Sequence, residues 1–212
     1  MEDRRFGVQN NQAAYDTTGE RSQVTAGISD DAMKVLRNTY MLLGMTLAFS
    51  ALTAFLNMNG THPGFLITIV GYIGLLFATY KLKNSPWGIV TTFALTGFMG
   101  YTLGPIIGAF VAAGASQIVA QALTLTAVAF VGLSATAIIT KKDFSFMTNF
   151  IMVGILVAFV AAIANIFFAI PALALAISAA FVLLSSMLIL WQTSAIIHGG
   201  ETNYIMATVT LF

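Results

Sequence analysis

The sequence predicts an all-α polytopic membrane protein, a bundle with six complete transmembrane helices and a partial seventh. Of its 212 residues, 58% are hydrophobic and only 8% are charged, and the mean hydropathy is +0.88. A soluble domain carries about a quarter charged residues. No Asp, Glu, Lys or Arg lies within residues 38–80, 84–140 or 144–200. Each of these runs can hold two spans of about 20 residues and a turn, and none shows the alternating segments of a β-barrel.

Turn-forming residues divide the apolar runs into spans. The first span ends at "NMNGTHPG", the second at "KLKNSP", the third at "AAGASQ" and the fourth at "TKKDFS", and Pro171 opens the sixth as a first-turn proline. The predicted spans, the last of them partial, cover about residues 35–56, 65–80, 87–112, 118–139, 146–170, 171–191 and 204–212. Short loops predict that sequential helices are antiparallel neighbours.

The last predicted helix is too short to cross a bilayer. The segment "YIMATVTLF" has nine residues, which rise about 13 Å at 1.5 Å each, against about 30 Å of hydrocarbon. We expect a truncated gene product, and the alternative is a short helix that lies against the bundle.

The placement of lysine and arginine predicts that the N-terminus is cytoplasmic. Positive residues precede the first predicted span and follow the second and the fourth, whereas the loops after the first, third and fifth spans have none. Residues 33–212 are therefore expected to form a multi-pass bundle in a lipid bilayer. Residues 1–32 are polar and mixed in charge, which predicts a disordered cytoplasmic tail; the alternative is a tail that a partner grips.

Several function classes are disfavoured. The chain has no cysteine and a net charge of only +1 without a basic patch, so neither a thiolate metal site nor nucleic-acid binding is expected. His62 and His198 fall in loops on opposite sides of the membrane, which excludes a paired histidine metal site. No nucleophile, metalloprotease or phosphate-loop pattern is present. We therefore predict no enzyme activity and no cofactor.

A stripe of small residues marks the third span. Gly100, Gly104 and Gly108 recur every four residues in "GYTLGPIIGAF", a spacing that lets another helix approach closely. Pro105 lies within the stripe and should bend the helix and free a carbonyl. The simplest interpretation is helix packing; the alternative is a hinge of the kind found in the broken helices of transporters.

Two further candidate positions lie near the end of the chain. Gln192 is one of several polar but non-ionisable residues within the spans. Such amides commonly bond across helices, and they also mark transport paths. Beyond it, Gly199 and Gly200 are expected to end the sixth helix in the left-handed conformation. His198 and Glu201 flank them in the predicted turn between helices six and seven, where Thr202 or Asn203 can cap the seventh helix.

Four stretches together resemble the Bax inhibitor-1 family. They are, in order, "VLRNTYMLLGMTLAFSALTA", "TGFMGYTLGPIIGAF", "ANIFFAIPALALAISAAFVLLSS" and "IIHGGETNYI". The resemblance runs from about Lys34 to the end and implies a seven-helix fold whose last helix is central to the bundle. It is closest to the bacterial inner-membrane branch of the family.

The resemblance implies two alternative functions. The bacterial branch implies a membrane regulator that binds the ATP-dependent protease FtsH and its associated membrane proteins, and that restrains degradation of membrane proteins in the inner membrane. The tail would then give the protease its grip. The better-known relatives imply a pH-sensitive calcium leak or a small-solute conduit, involving calcium or protons. In those relatives the leak uses two aspartates, in helices six and seven, and an arginine in helix two. The first acidic position falls on Gln192, the second would lie beyond Phe212, and span two has no arginine.

Overall fold

The computed structural model describes residues 28–212, and this part of the chain is entirely helical apart from turns. Most of the predicted tail, residues 1–27, lies outside the described residues. The seven helices are α1 Asp30–Leu56, α2 Phe65–Leu82, α3 Trp87–Ala112, α4 Ser116–Thr140, α5 Met147–Phe168, α6 Pro171–Ile197 and α7 Tyr204–Leu211. The predicted all-α class, with six long apolar helices and a short seventh, is confirmed.

Two helix ends differ from the sequence prediction by more than two residues. α1 begins at Asp30 rather than near residue 35, because the Ser29 hydroxyl accepts a hydrogen bond from the Ala32 amide at 3.2 Å and caps the first turn. α6 does not end near residue 191 but continues to Ile197. Its last turns are buried in the bundle, so that Trp191 does not mark the end of the helix.

The turn between α5 and α6 needs only two residues. Ala169 adopts the left-handed conformation with φ of 51°, and the Asn165 side chain accepts a hydrogen bond from the Ile170 amide at 3.1 Å. Pro171 then occupies the first turn of α6, as predicted. The Asn165 side chain thus supports a sharp reversal that has no glycine.

The helices pack around α1, which contacts α3, α6 and α7. α2 packs on α3, and α4 and α5 pack on α6. The short α7 lies among α1, α3 and α6 and buries Ile205, Ala207 and Thr208. Large apolar side chains such as Phe77 of α2 and Val153 of α5 are more than half exposed. An apolar exterior of this extent is typical of a surface that faces lipid.

Candidate functional site: a glycine interface, the α6–α7 turn and a buried polar layer

The predicted glycine stripe of α3 lies directly against the backbone of α1. A Cβ atom added at any of the three glycines would collide with a backbone carbonyl group in α1 or just past its end. At Gly104 it would lie 2.6 Å from the Ala54 oxygen. The facing pairs are Gly100 with Ser50, Gly104 with Ala54, and Gly108 with Met58. Both members of the pairs advance by four residues, so α1 and α3 run parallel in matching register. The approach is close enough that only glycine fits.

Pro105 of α3 is compensated by a side chain of α1. Proline has no amide hydrogen, so the carbonyl of Tyr101, four residues earlier, loses its helical partner. Asn57 at the end of α1 is 8% exposed and donates to this carbonyl through Nδ2 at 2.8 Å. One turn earlier, Thr53 Oγ1 lies 2.9 Å from the Gly97 carbonyl oxygen. These bonds satisfy buried backbone groups between the two helices, and α3 continues through Pro105 to Ala112.

Asn57 is a residue that sequence reasoning missed. It was assigned to the turn "NMNGTHPG", yet it continues the face of Thr53 by one helical turn. An amide side chain at the end of one span and a proline inside another indicate only weakly that the amide bonds the carbonyl freed by the proline. The pairing becomes apparent only when the register between α1 and α3 is known.

The α6–α7 turn is ordered by its own side chains. Gly199 has φ of 74° and ends α6 in the predicted left-handed conformation, whereas Gly200 has no positive φ. His198 Nδ1 lies 2.8 Å from the carbonyl oxygen of Ser194, a contact that requires the nitrogen to donate. Glu201 Oε1 accepts from the Asn203 amide at 2.8 Å.

Asn203 in this turn holds the lysine-containing α2–α3 loop at one end of the bundle. Asn203 caps α7, with Oδ1 accepting from the Ile205 and Met206 amides. Its Nδ2 donates to the Lys83 carbonyl at 3.0 Å and to Asn84 Oδ1 at 2.8 Å. Asn203 therefore joins the α2–α3 loop to the start of α7. Thr202, the other predicted candidate, does not cap the helix.

The α4–α5 loop is held in the same way by Ser194. The Ser194 hydroxyl accepts from the Phe144 amide at 3.1 Å and lies 3.1 Å from the Lys142 carbonyl oxygen, to which it donates. In that loop the Ser145 hydroxyl and amide donate to Asp143, which lowers the pKa of that carboxyl below its ordinary value, and the nearby His198 adds a smaller lowering. The loop thus presents a carboxylate within a lysine-containing segment.

Gln192 lies in a separate, buried position. It is 2% exposed and precedes Thr193, whose hydroxyl lies 3.1 Å from Tyr40 Oη of α1. The Thr208 hydroxyl of α7 donates to the Tyr204 carbonyl at 2.7 Å and lies 3.3 Å from the Thr39 carbonyl oxygen of α1. We call Thr39, Ser134, Gln192, Thr193 and Thr208 the buried polar layer; all are less than 5% exposed.

The predicted site residues therefore do not converge on one centre. The glycine stripe with Pro105 lies at the α1–α3 interface, the turn residues lie at the end of α6, and Gln192 is buried beneath that end. Among residues 28–212 no group of three or more His, Cys, Asp or Glu could hold a metal ion.

The packing and the apolar exterior define a polytopic α-helical membrane protein with six long spans and a short seventh helix. Residues 32–212 match the family model described as "Inhibitor of apoptosis-promoting Bax1", and the chain belongs to this Bax inhibitor-1 family. The predicted membership is confirmed. The matched residues include the glycine interface, the α6–α7 turn and the buried polar layer.

Bacterial relatives are similar over most of their length. The chain is 53% identical over 181 residues to "Modulator of FtsH protease YccA" of Escherichia coli strain K12, covering 84% of this chain and 83% of the relative. It is 52% identical to an uncharacterised protein of Pseudomonas aeruginosa, covering 84% and 82%. An uncharacterised membrane protein of Vibrio cholerae is 47% identical, covering 84% and 82%.

Proposed function

We propose that this protein is a non-catalytic membrane regulator that binds the protease FtsH and restrains its degradation of other membrane proteins. The observation that carries the proposal is the 53% identity to the E. coli modulator of FtsH protease. Similarity at this level covers most of the chain rather than a single motif. The expected setting is the bacterial inner membrane, since a second E. coli relative at 53% identity is named an inner membrane protein.

The bundle and the tail have different roles in this proposal. FtsH, as an ATP-dependent protease, needs a chain segment to grip, and an exposed polar terminus is a usual starting point for proteolysis. Residues 1–27 are polar in sequence and precede the family-matched region. The bundle then resists extraction, because the α1–α3 interface is closed at the backbone. A protein that is engaged readily but extracted slowly occupies the protease.

The orientation that this mechanism requires puts the N-terminus in the cytoplasm. The positive loops follow α2 and α4. Hydrogen bonds from Asn203, before α7, and from Ser194, in the last turn of α6, hold both loops at one end of the bundle. By the positive-inside rule this end is cytoplasmic. Labelling of single cysteines introduced at residues 20 and 61 by a membrane-impermeant thiol reagent tests this, since only the second should react in intact spheroplasts.

The function is tested by reconstitution. FtsH and a membrane-protein substrate are placed in liposomes with ATP, and substrate decay is followed with and without this protein. An unrelated six-span protein at the same molar ratio controls for crowding. Slower decay with this protein alone supports the proposal; equal decay contradicts it.

A deletion of residues 2–27 separates the tail from the bundle. This deletion leaves Ser29 and its cap on α1 intact, so insertion and folding should be unchanged. The protein's own turnover by FtsH should be abolished. Unchanged turnover would exclude the tail as the grip but leave the regulator proposal standing.

A conduit is the second candidate, favoured by one observation, the buried amide of Gln192 within a membrane span. Proton-dependent calcium flux into liposomes tests it. Substituting Gln192→Asp introduces a titratable group at the position where the resemblance places the first acidic residue. A conduit should gain pH-dependent flux from this change, whereas the regulator hypothesis predicts no flux from either protein.

A further inference from the structure

Three buried polar atoms near the end of α6 have no hydrogen-bond partner among the described residues. They are Thr39 Oγ1 of α1, Ser134 Oγ of α4 and Gln192 Nε2 of α6. Leaving a buried polar atom unpaired is energetically costly, because the atom loses its bonds to water without replacing them. Because three such atoms occur on three different helices, one local packing defect does not explain them.

The two hydroxyls of this group also lack the usual hydrogen bond to a carbonyl of their own helix. Serine and threonine inside helices commonly bond to a carbonyl of the preceding turn. Thr46 of α1 and Thr136 of α4 do so, at 3.0 Å and 2.7 Å, as do most helical threonines in the described part of the chain. Thr39 and Ser134 do not, so their hydroxyls remain available to a ligand.

Contacts of neighbouring residues place Thr39, Ser134 and Gln192 at a similar depth in the bundle. One residue after Thr39, Tyr40 packs its ring 5.7 Å from that of Phe130, one turn before Ser134. Tyr40 also packs on the cluster that contains Ile196, one turn after Gln192. On the other side of Ser134, Ile138 packs on the same cluster. Each of the three residues thus lies within one helical turn of a residue in this group of contacts.

We propose that this layer is a buried water site, in which water accepts from Gln192 Nε2 and bridges it to the hydroxyls of Thr39 and Ser134. An amide nitrogen only donates, whereas a hydroxyl donates and accepts, so a shared ligand has to accept from the amide and can donate to or accept from the hydroxyls. α4 and α6 carry no charged side chain, and the charged side chains of α1, at residues 30, 31, 34 and 37, are exposed. An ion in the buried layer would therefore stay uncompensated. Water satisfies both conditions, and buried waters typically make about three hydrogen bonds.

The site would join α1, α4 and α6 at the level where α7 is anchored. α4 has only two buried residues, Ser134 and Ala137, so a water bridge would supply much of its polar attachment to the centre. The inference is independent of the proposed regulation of FtsH.

The first test detects the water directly. Protein with ¹⁵N-labelled glutamine side chains is placed in lipid bilayers, and polarisation transfer from water to the amide is measured by solid-state NMR. The Gln192 signal, assigned by its absence in Gln192→Leu, should receive transfer and exchange slowly with bulk deuterated water. No transfer would overturn the proposal, and so would exchange as fast as that of an exposed amide.

The second test uses the sign of a stability change. If the hydroxyls are truly unpaired, Thr39→Val and Ser134→Ala leave Tm unchanged or raise it, because an unsatisfied group is removed. If water bonds them, each substitution lowers Tm by about 2–4 °C, the shift expected for loss of one ordinary hydrogen bond. Thr136→Val, which removes an exposed hydroxyl bonded within α4, is the matched control and should have the smaller effect. An unchanged or raised Tm for both buried variants contradicts the water site.

Discussion

The α1–α3 and α5–α6 interfaces both hold two helices together in lipid, but they do so through different contacts. α1 and α3 touch backbone to backbone through three glycines and are bridged by hydrogen bonds from Thr53 and Asn57. α5 and α6 meet through apolar side chains and leave a groove of about 470 Å³. Within residues 147–197 no side-chain hydrogen bond joins these two helices. In the most apolar part of α1 and of α3, 33% of residues are buried, against 11% in α5.

The difference shows where the bundle is rigid. In lipid, helices associate through close packing and interhelical hydrogen bonds rather than through the hydrophobic effect. An interface closed at the backbone cannot adjust to an added atom, whereas one made of flexible side chains can repack. We therefore expect resistance to extraction to reside in the α1–α3 half.

The largest expected effect comes from matched glycine-to-alanine substitutions. At Gly100 the new Cβ would meet the Ser50 carbonyl, whereas at Gly154 it would meet the end of the Leu184 side chain. Gly100→Ala should lower the free energy of unfolding by more than about 3 kcal/mol, and Gly154→Ala by about 1 kcal/mol or less. Unfolding by SDS titration, followed by circular dichroism, measures both.

Gly132→Ala serves as the control for this pair, because nothing lies within 4 Å of the added atom. Its stability should match that of the wild type or exceed it slightly. Equal losses at positions 100 and 154 would show that the two interfaces do not differ in rigidity.

A smaller effect is expected where Asn57 satisfies the carbonyl freed by Pro105. Asn57→Leu should cost about 0.6–1.7 kcal/mol, the range of interhelical hydrogen bonds in membranes. In a Pro105→Ala background the new backbone amide can bond the Tyr101 carbonyl itself, so the cost of Asn57→Leu should shrink. A double-mutant cycle with the same unfolding assay measures this coupling. The same cost in both backgrounds would mean that Asn57 does not act through this carbonyl.

A comparable loss is expected at the α6–α7 turn. Asn203→Ala removes the cap of α7 and the bonds to the α2–α3 loop, which should cost about 1 kcal/mol. Faster amide hydrogen exchange at Ile205 and Met206 should accompany the loss. The adjacent Thr202→Ala removes an exposed side chain and should leave exchange unchanged; a similar acceleration in both variants would refute the role of Asn203.

The smallest effect concerns pH and the exposed α4–α5 loop. Because the Ser145 donors lower the pKa of Asp143 below 3.8, any stabilisation it gives is complete above pH 3.8 and is lost as pH falls through the lowered pKa. His198, Lys141 and Lys142 are the other titratable groups in and beside this loop. The change in the Ser145 amide NMR shift that accompanies titration of Asp143 should therefore occur only in acid, below pH 3.8. Titration of Asp143 itself near pH 5 would contradict the assigned hydrogen bonds.

Features set by local pattern were predictable from the sequence. Charge-free runs predicted six spans, spacing of four predicted the glycine stripe, and Gly199 predicted the end of α6 in the left-handed conformation. α6 continues to Ile197, beyond its predicted end near residue 191. Its last turns are buried against α1 and α7, and no local sequence pattern indicates this burial. The pairing of Asn57 with Tyr101 joins residues far apart in sequence and depends on helix register. The unpaired atoms of the buried polar layer likewise emerge only from three helices together.

The most direct test of the account joins packing to the proposed regulation. Decay of a second membrane substrate by FtsH is measured in liposomes that contain wild-type protein, Gly154→Ala or Gly100→Ala, each shown to be inserted at equal amounts. The wild type and Gly154→Ala should slow the decay, whereas Gly100→Ala should itself be degraded rapidly and give little protection. If all three protect equally, rigidity of the α1–α3 interface does not restrain the protease; if none protects, the proposed regulation is wrong.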